Sequence, residues 1–206
     1  MSIVLNVERW PFDQAMPRAI LNPPHGAQPV PDVPNFSWAE QGMRLGLPRL
    51  VEIINARGLP AGVNLNAAAI DAYPQAAELL LQSDFEFIGH GVSQRILNTT
   101  DERSVVREAV DILTSYSGQR IRGWLGPGLQ ETFHTPDVLS ECGLDYVCDW
   151  VVDEQAGMAG REAPTARRRA VLPRTERQRH LRGGASLLTR VRATCGGHPS
   201  VLRRRR

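Results

Sequence analysis

The sequence of 206 residues contains no lysine, so all 24 of its basic side chains are arginines. It has only three cysteines, Cys142, Cys148 and Cys195, which are odd in number and lack the spacing of paired metal ligands. They predict neither a disulfide framework nor a zinc site. No apolar run approaches the roughly 18 residues of a membrane span, and the N-terminus lacks the basic and small-residue signals of a secretory leader. We therefore expect a cytoplasmic protein with reduced thiols and no membrane partner.

The charges are divided unevenly along the chain. Residues 1–155 carry 10 arginines against 20 acidic residues, whereas residues 156–206 carry 14 arginines against 2 acidic residues. The second segment shows no period of a helix or a strand and ends in four arginines at 203–206. We predict a β/α domain over residues 1–155 and a disordered, basic tail over residues 156–206.

Two explanations of this tail stay open. Arginine-rich tails bind nucleic acids, or acidic surfaces in general. This one, however, has almost no aromatic side chains for stacking on bases, and out-of-frame translation of GC-rich DNA also yields arginine, alanine, glycine and proline. We favour the second explanation and do not expect a nucleic-acid partner. A binding protein that uses the tail is the alternative.

Strand and helix patterns alternate through the first 155 residues. Apolar runs predict strands at 3–7, 61–66, 85–88, 121–125 and 146–150, and apolar periods near 3.6 predict helices at 45–57, 67–83, 99–116 and 135–142. Alternation at this spacing is typical of parallel β/α units that form a sheet or a barrel. The proline-rich segment 11–38 predicts a long loop.

Two helix starts are predicted from capping signals. Thr99 and Glu102 have the spacing of a capping box, which predicts a helix. Its predicted core face consists of Val105, Ala109, Ile112, Leu113 and Tyr116. Thr135 precedes a proline, which predicts an N-cap followed by proline at the first helical position.

Polar side chains follow several of the predicted strands. His90 lies between two glycines after the third strand, and glycines there let substrate or backbone approach the ring. Glu8 and Asn66 lie at the ends of the first and second strands, Asn66 as a local cap, and Asp149 lies at the end of the fifth. Because ligands bind at the carboxyl ends of parallel strands, a carboxylate and an imidazole there indicate hydrolysis with an acid/base pair.

The order of the motifs resembles the polysaccharide deacetylase family, and most closely its allantoinase-like branch. The matching segments are Pro31-Asp-Val-Pro-Asn-Phe-Ser-Trp38, Gly89-His-Gly91, Arg122-Gly-Trp-Leu-Gly-Pro-Gly128 and Cys142 to Trp150. The resemblance implies a distorted (β/α) barrel that hydrolyses carbon–nitrogen bonds other than peptide bonds. The substrate would be an N-acetyl sugar or a small cyclic amide or ureide. The later strands of the family find no counterpart after Gln155, so we expect the barrel to be incomplete.

The resemblance also implies which residues form the site. Metal-dependent family members have two adjacent aspartates after the first strand and a His-x-x-x-His pair, whereas this chain has Glu8 with Arg9, and His90 with Gln94. We therefore expect no metal cofactor, with Glu8 or His90 as the group that activates water. The family's third-motif arginine is replaced at Leu125.

The rest of the pocket is expected to come from the last matching motifs. The expected substrate contacts are Trp124, Pro127, Gly128, Asp149 and Trp150, with backbone N–H groups of 126–128 as donors to the oxyanion. A catalytically inactive, truncated relative is the alternative to an enzyme, and formation of a homo-oligomer stays open.

Overall fold

The computed structural model describes residues 3–19, 21–22, 29–95 and 100–150. The predicted tail at 156–206, and the domain boundary before it, lie outside the described residues. Five strands form one sheet in the order β1 to β5, with bounds Ile3–Val7, Ala61–Leu65, Glu86–Gly89, Gly123–Trp124 and Tyr146–Val147. Every neighbouring pair is parallel. The prediction of an α/β fold with a parallel sheet is confirmed, and strands paired in chain order correspond to an arc of a (β/α) barrel.

Helices connect the strands, as the pattern predicted. Their bounds are α1 Val33–Gln41, α2 Leu47–Ala56, α3 Ala69–Ala72, α4 Pro74–Leu81, α5 Glu102–Ser117 and α6 Thr135–Glu141. All five residues of β2 are buried, because a central parallel strand is covered on both faces. Among the helices of the described segments, none combines the length and hydropathy needed to span a bilayer.

The hydrophobic core lies between the sheet and its covering helices. Its members include Val63 and Leu65 of β2, Phe87 of β3 and Trp124 of β4. Helix α2 contributes Leu47, Val51 and Ile54, which are spaced to lie on one face, whereas Leu50 is about half exposed. The core therefore packs directly beneath the carboxyl ends of β1 to β4.

The prediction that the proline-rich loop extends to Trp38 is wrong, because α1 begins at Val33. The side chain of Asp32 caps this helix by accepting a hydrogen bond from the N–H of Asn35 at 3.2 Å. Pro34 lies in the first turn, where no backbone donor is needed. A π-helical turn at Gly42–Gly46 then joins α1 to α2.

Both predicted helix caps are displaced from their observed positions. Helix α5 has Asp101 at its N-cap, without a side-chain capping bond. It buries Ala109 and Leu113 as predicted, and also Val106, whereas Ile112 is exposed. Helix α6 has His134 at its N-cap, so Thr135 is already helical. The Thr135 hydroxyl instead contacts the buried carboxylate of Glu102, which ties the start of α6 to the start of α5.

The last two strands are shorter than predicted. Strand β4 covers two residues and pairs with β3 through Trp124 and Gly89 alone. Strand β5 ends at Val147, after which the chain turns so that the carboxylate of Asp149 meets the N–H of Gly126 at 2.7 Å. This side-chain bond holds the end of β5 to the end of β4.

Candidate active site

Glu8 and His90 meet at the carboxyl edge of the sheet, although strand β2 separates their strands. His90 Nε2 lies 3.4 Å from Glu8 Oε1. The imidazole is only 2% exposed, whereas the carboxylate is 21% exposed. Glu8 is therefore the member of the pair that water or a substrate can reach.

A backbone carbonyl fixes the orientation of the His90 ring. Nδ1 lies 2.7 Å from the carbonyl oxygen of Leu125. A carbonyl only accepts hydrogen bonds, so Nδ1 carries a hydrogen and Nε2 faces Glu8. An ionised carboxylate also only accepts hydrogen bonds, so a single hydrogen lies between Nε2 and Oε1 in their hydrogen bond.

The surroundings of Glu8 favour its ionised form. Burial acts to raise the pKa of Glu8. Hydrogen bonds from His90 and Trp10 and the positive charges of His90 and Arg18 lower this pKa by more than burial raises it, so the net value is below the ordinary one. The indole Nε1 of Trp10 donates to Glu8 Oε2 at 2.7 Å. The carboxylate is therefore available at neutral pH to accept a proton from water.

Asn66 connects the two halves of the pair, a role that its position as a predicted local cap did not indicate. Its side chain is fully buried at the end of β2. Oδ1 accepts from the N–H of Arg9 at 2.8 Å, and Nδ2 donates to the carbonyl of His90. The loops after β1 and β3 are thus held to the central strand by one amide group. The available sequence signal is that Asn66 follows the strand which, in order along the chain, comes between those preceding Glu8 and His90.

The residues at the family's metal-ligand positions do not fit a divalent cation. The Arg9 guanidinium donates to the carbonyl of Trp10 at 2.7 Å, and the Gln94 amide oxygen lies 3.5 Å from Asn66 Nδ2. Both nitrogens of His90 already have partners. No group of three or more His, Cys, Asp or Glu side chains suited to a metal occurs within the described residues. A zinc site needs three such ligands.

The residues expected to contact substrate are placed in different surroundings. Trp124 is completely buried in the core, so it supports the site from below without lining it. Pro127 is also buried, whereas Gly128 is exposed and Trp150 is 63% exposed. The indole Nε1 of Trp150 donates to Glu131 at 2.9 Å. Of these four, Gly128 and Trp150 are the ones that the structure leaves accessible.

Two of the three residues expected to donate an N–H group to the oxyanion cannot do so. The N–H of Gly126 donates to Asp149 Oδ1 at 2.7 Å, and Pro127 has no N–H group. Only the N–H of Gly128 is left among the three residues of this loop.

Asp149 is the second carboxyl group with a perturbed pKa. Burial and the neighbouring Glu131 carboxylate raise the pKa of Asp149 to about 7, and the hydrogen bond from the Gly126 N–H opposes this increase. Its Oδ2 is buried and has no hydrogen-bond partner within the described part of the chain. Glu8 and Asp149 thus have pKa values shifted in opposite directions, which is the usual signature of acid and base groups.

The glycines beside His90 allow other side chains of the protein to pack closely against the backbone. A Cβ atom at Gly89 would lie 2.7 Å from the Trp124 ring, and one at Gly91, where φ is +73°, would lie 2.9 Å from Pro127. The close approach that these glycines allow is therefore that of β4 and the loop after it.

Replacing Gly89 by alanine should destabilise the protein. The added methyl group would displace the Trp124 ring, and overpacking of this kind costs about 1–3 kcal/mol. The matched control is Gly46→Ala, where a Cβ meets nothing within 4 Å and the backbone is helical. The measurement is urea unfolding of both variants; equal midpoints would contradict the packing described for Trp124.

No protein-family model matches the sequence, and no curated protein matches it significantly. Solved structures do match. Puue allantoinase has a TM-score of 0.62 and 26% identity, covering 74% of this chain and 54% of its own. A protein of Pseudomonas aeruginosa PAO1 described as a polysaccharide deacetylase has a TM-score of 0.58 and 27% identity, covering 71% and 52%. This chain has the polysaccharide deacetylase fold.

A third structure supports this fold at lower identity. A protein of Mycobacterium smegmatis described as a polysaccharide deacetylase has a TM-score of 0.56 and 20% identity, covering 71% of this chain and 49% of its own. The present chain therefore spans about half the length of each of these three proteins. The resemblance expected from the sequence motifs is confirmed for the fold.

Proposed function

We propose that the chain hydrolyses carbon–nitrogen bonds other than peptide bonds, without a metal, in an N-acetyl sugar or a small cyclic amide or ureide. The observation that carries this proposal is the Glu8–His90 pair at the carboxyl edge of the sheet. The likeness to two proteins described as polysaccharide deacetylases and to an allantoinase supports the class of bond.

In this proposal Glu8 is the general base and His90 holds it in place. Glu8 accepts a proton from water as the water oxygen attacks the carbonyl carbon of the substrate. The carbon–nitrogen bond then breaks, and the same proton passes from Glu8 to the leaving nitrogen. His90 is too deeply buried to touch water, so it orients Glu8 through Nε2. Proton transfer by a placed side chain contributes about 10²–10⁴-fold in rate.

Metal independence is supported by the donor set. A base that works on metal-bound water needs a cation nearby, and here a guanidinium and an amide, both in contact with other groups, stand at the family's ligand positions. The ionised state of Glu8 instead depends on donors from the protein, namely His90 and Trp10. Water would thus be activated by the carboxylate alone.

The test is turnover by the full chain with two kinds of substrate, before and after treatment with a metal chelator. N-acetylglucosamine oligomers are assayed for released acetate, and cyclic ureides for ring opening. We expect hydrolysis of one kind, unchanged by the chelator and not increased by added Zn²⁺. Absence of turnover on both would support an inactive relative, and loss of activity on chelation would refute the metal-free mechanism.

A further inference from the structure

One peptide group connects Asp149 to the Glu8–His90 pair. The carbonyl of Leu125 accepts from His90 Nδ1 at 2.7 Å, and the N–H of Gly126, in the same peptide unit, donates to Asp149 Oδ1 at 2.7 Å. His90 Nε2 in turn faces Glu8. An unbroken series of hydrogen bonds therefore runs from Glu8 through His90 and the peptide to Asp149.

Bonds at the two ends of a peptide group strengthen each other. A carboxylate that accepts from the N–H pushes electron density of the peptide group onto the carbonyl oxygen, which makes that oxygen a better acceptor. Such polarisation adds about 10–30% to each bond in a series. An ionised Asp149 thus strengthens the hold of Leu125 on the Nδ1 hydrogen of His90.

The surroundings of Gly126 leave no room for a side chain at this position. A Cβ at Gly126 would lie 2.6 Å from the carbonyl oxygen of Gln130 and 2.9 Å from Asp149 Oδ2. The carboxylate therefore lies directly against the Gly126 backbone. Neighbouring ladder bonds fix the same segment, because the N–H of Leu125 donates to Gly89 at 2.9 Å and that of Cys148 donates to Trp124 at 2.8 Å.

We propose that Asp149 is a positioning residue for the hydrolytic site, which acts on His90 through the Leu125–Gly126 peptide and so keeps Nε2 directed at Glu8. The catalytic importance of this role rests on the proposed function, whereas the hydrogen bonds that connect Asp149 to His90 do not depend on it. Within the described residues Asp149 makes no hydrogen bond to His90 or Glu8, so its effect is indirect.

The charge of Asp149 makes this connection sensitive to pH. Its pKa is raised to about 7 by burial and by Glu131. The other titratable group beside it, Cys148, has its own pKa raised to about 12 by burial and by the charges of Asp149 and Glu86, so that thiol is neutral near pH 7. Among the described residues, Asp149 is therefore the group here whose charge changes around neutrality. Above pH 7 the ionised Asp149 holds His90 more firmly.

The test is proton and nitrogen NMR of the His90 ring in the full chain labelled with ¹⁵N-histidine, assigned by comparison with His90→Asn. In Asp149→Ala at pH 8.5, the Nδ1 hydrogen of His90 should exchange with solvent about three- to tenfold faster, as expected for loss of one supporting hydrogen bond. The matched control is Asp111→Ala, at an exposed position of α5.

Asp149→Asn provides a second, conservative readout. Its amide oxygen can still accept from Gly126 but does not titrate. The wild-type Nδ1 resonance should shift in a step near pH 7 that Asp149→Asn lacks, and the two proteins should agree at pH 6. Equal exchange in the two alanine variants, or the same step in Asp149→Asn, would overturn the proposal. If Asp149→Ala fails to fold, the pH step decides alone.

The NMR measurement requires no substrate, so it separates this inference from the proposed function. A pH step without turnover would leave the connection standing and refute the activity. Turnover without the pH step would support the activity and refute the connection between Asp149 and His90.

Discussion

Replacing Glu8 by glutamine should lower kcat by about 10²–10⁴-fold, the usual contribution of a general base. Glutamine keeps the size of the side chain and can still accept from Trp10, so the fold should be unaffected. The measurement is steady-state hydrolysis of whichever substrate class the wild type accepts. A variant with more than about a tenth of the wild-type kcat would exclude Glu8 as the base.

His90→Asn separates positioning from proton transfer. The loss in kcat should reach about 10²-fold, the effect of a small misplacement of a reacting group. His134→Asn is the matched control, because His134 is exposed at the N-cap of α6 and makes no capping bond through its side chain. It should retain wild-type activity.

The pH profile of His90→Asn distinguishes this role from a structural one. Wild-type activity requires ionised Glu8, so its acidic limb should lie where the pH drops through the lowered pKa of that carboxyl group. Without His90 the hydrogen bond and the positive charge that lower this pKa are lost, and the acidic limb should move to higher pH. An unmoved limb would contradict the electrostatic role of His90.

Replacing Asn66 by alanine should reduce the free energy of unfolding by about 2–6 kcal/mol, because it leaves two backbone groups without their partner at about 1–3 kcal/mol each. Those groups are the N–H of Arg9 and the carbonyl of His90. Loss of these bonds frees the loops after β1 and β3, so activity should fall with stability. Urea unfolding gives the stability, and the assay above gives the activity.

Asn55→Ala is the control for the same chemical change. The Asn55 amide, exposed on α2, donates to the Ser83 hydroxyl at 3.1 Å. Its loss should reduce stability by less than about 1 kcal/mol and leave turnover unchanged. If the two alanine variants are equally stable, Asn66 does not hold the site together in the way described.

The sequence predicted the parallel sheet because its elements are periodic. It also placed Glu8 and His90 at strand ends, from which their meeting at one edge of the sheet follows geometrically. For Asn66 the sequence indicates only a local cap, since nothing in one chain shows that β2 lies in space between the two strands that carry the pair. That fact depends on strand order, which becomes visible only in three dimensions.

Backbone contacts explain most of what the sequence could not predict. The Leu125–Gly126 peptide contributes to the site through its carbonyl and N–H groups, which every residue has, so no side-chain pattern marks it. Trp124 was expected to contact substrate because it lies in a site motif. The structure buries it, because the absence of a side chain at Gly89 leaves a space that the indole ring fills.

The in-order pairing of the strands has a consequence for how the site is assembled during folding. Pairing β1 with β2 joins residues as distant as Ile3 and Ala61, whereas pairing β2 with β3 joins Gly62 and Glu86. Closing the longer loop costs about 0.8 kcal/mol more in chain entropy. We therefore expect β2 and β3, with His90 at their edge, to pair before β1 joins them, so that the carboxylate on the segment after β1 reaches a ring already in place.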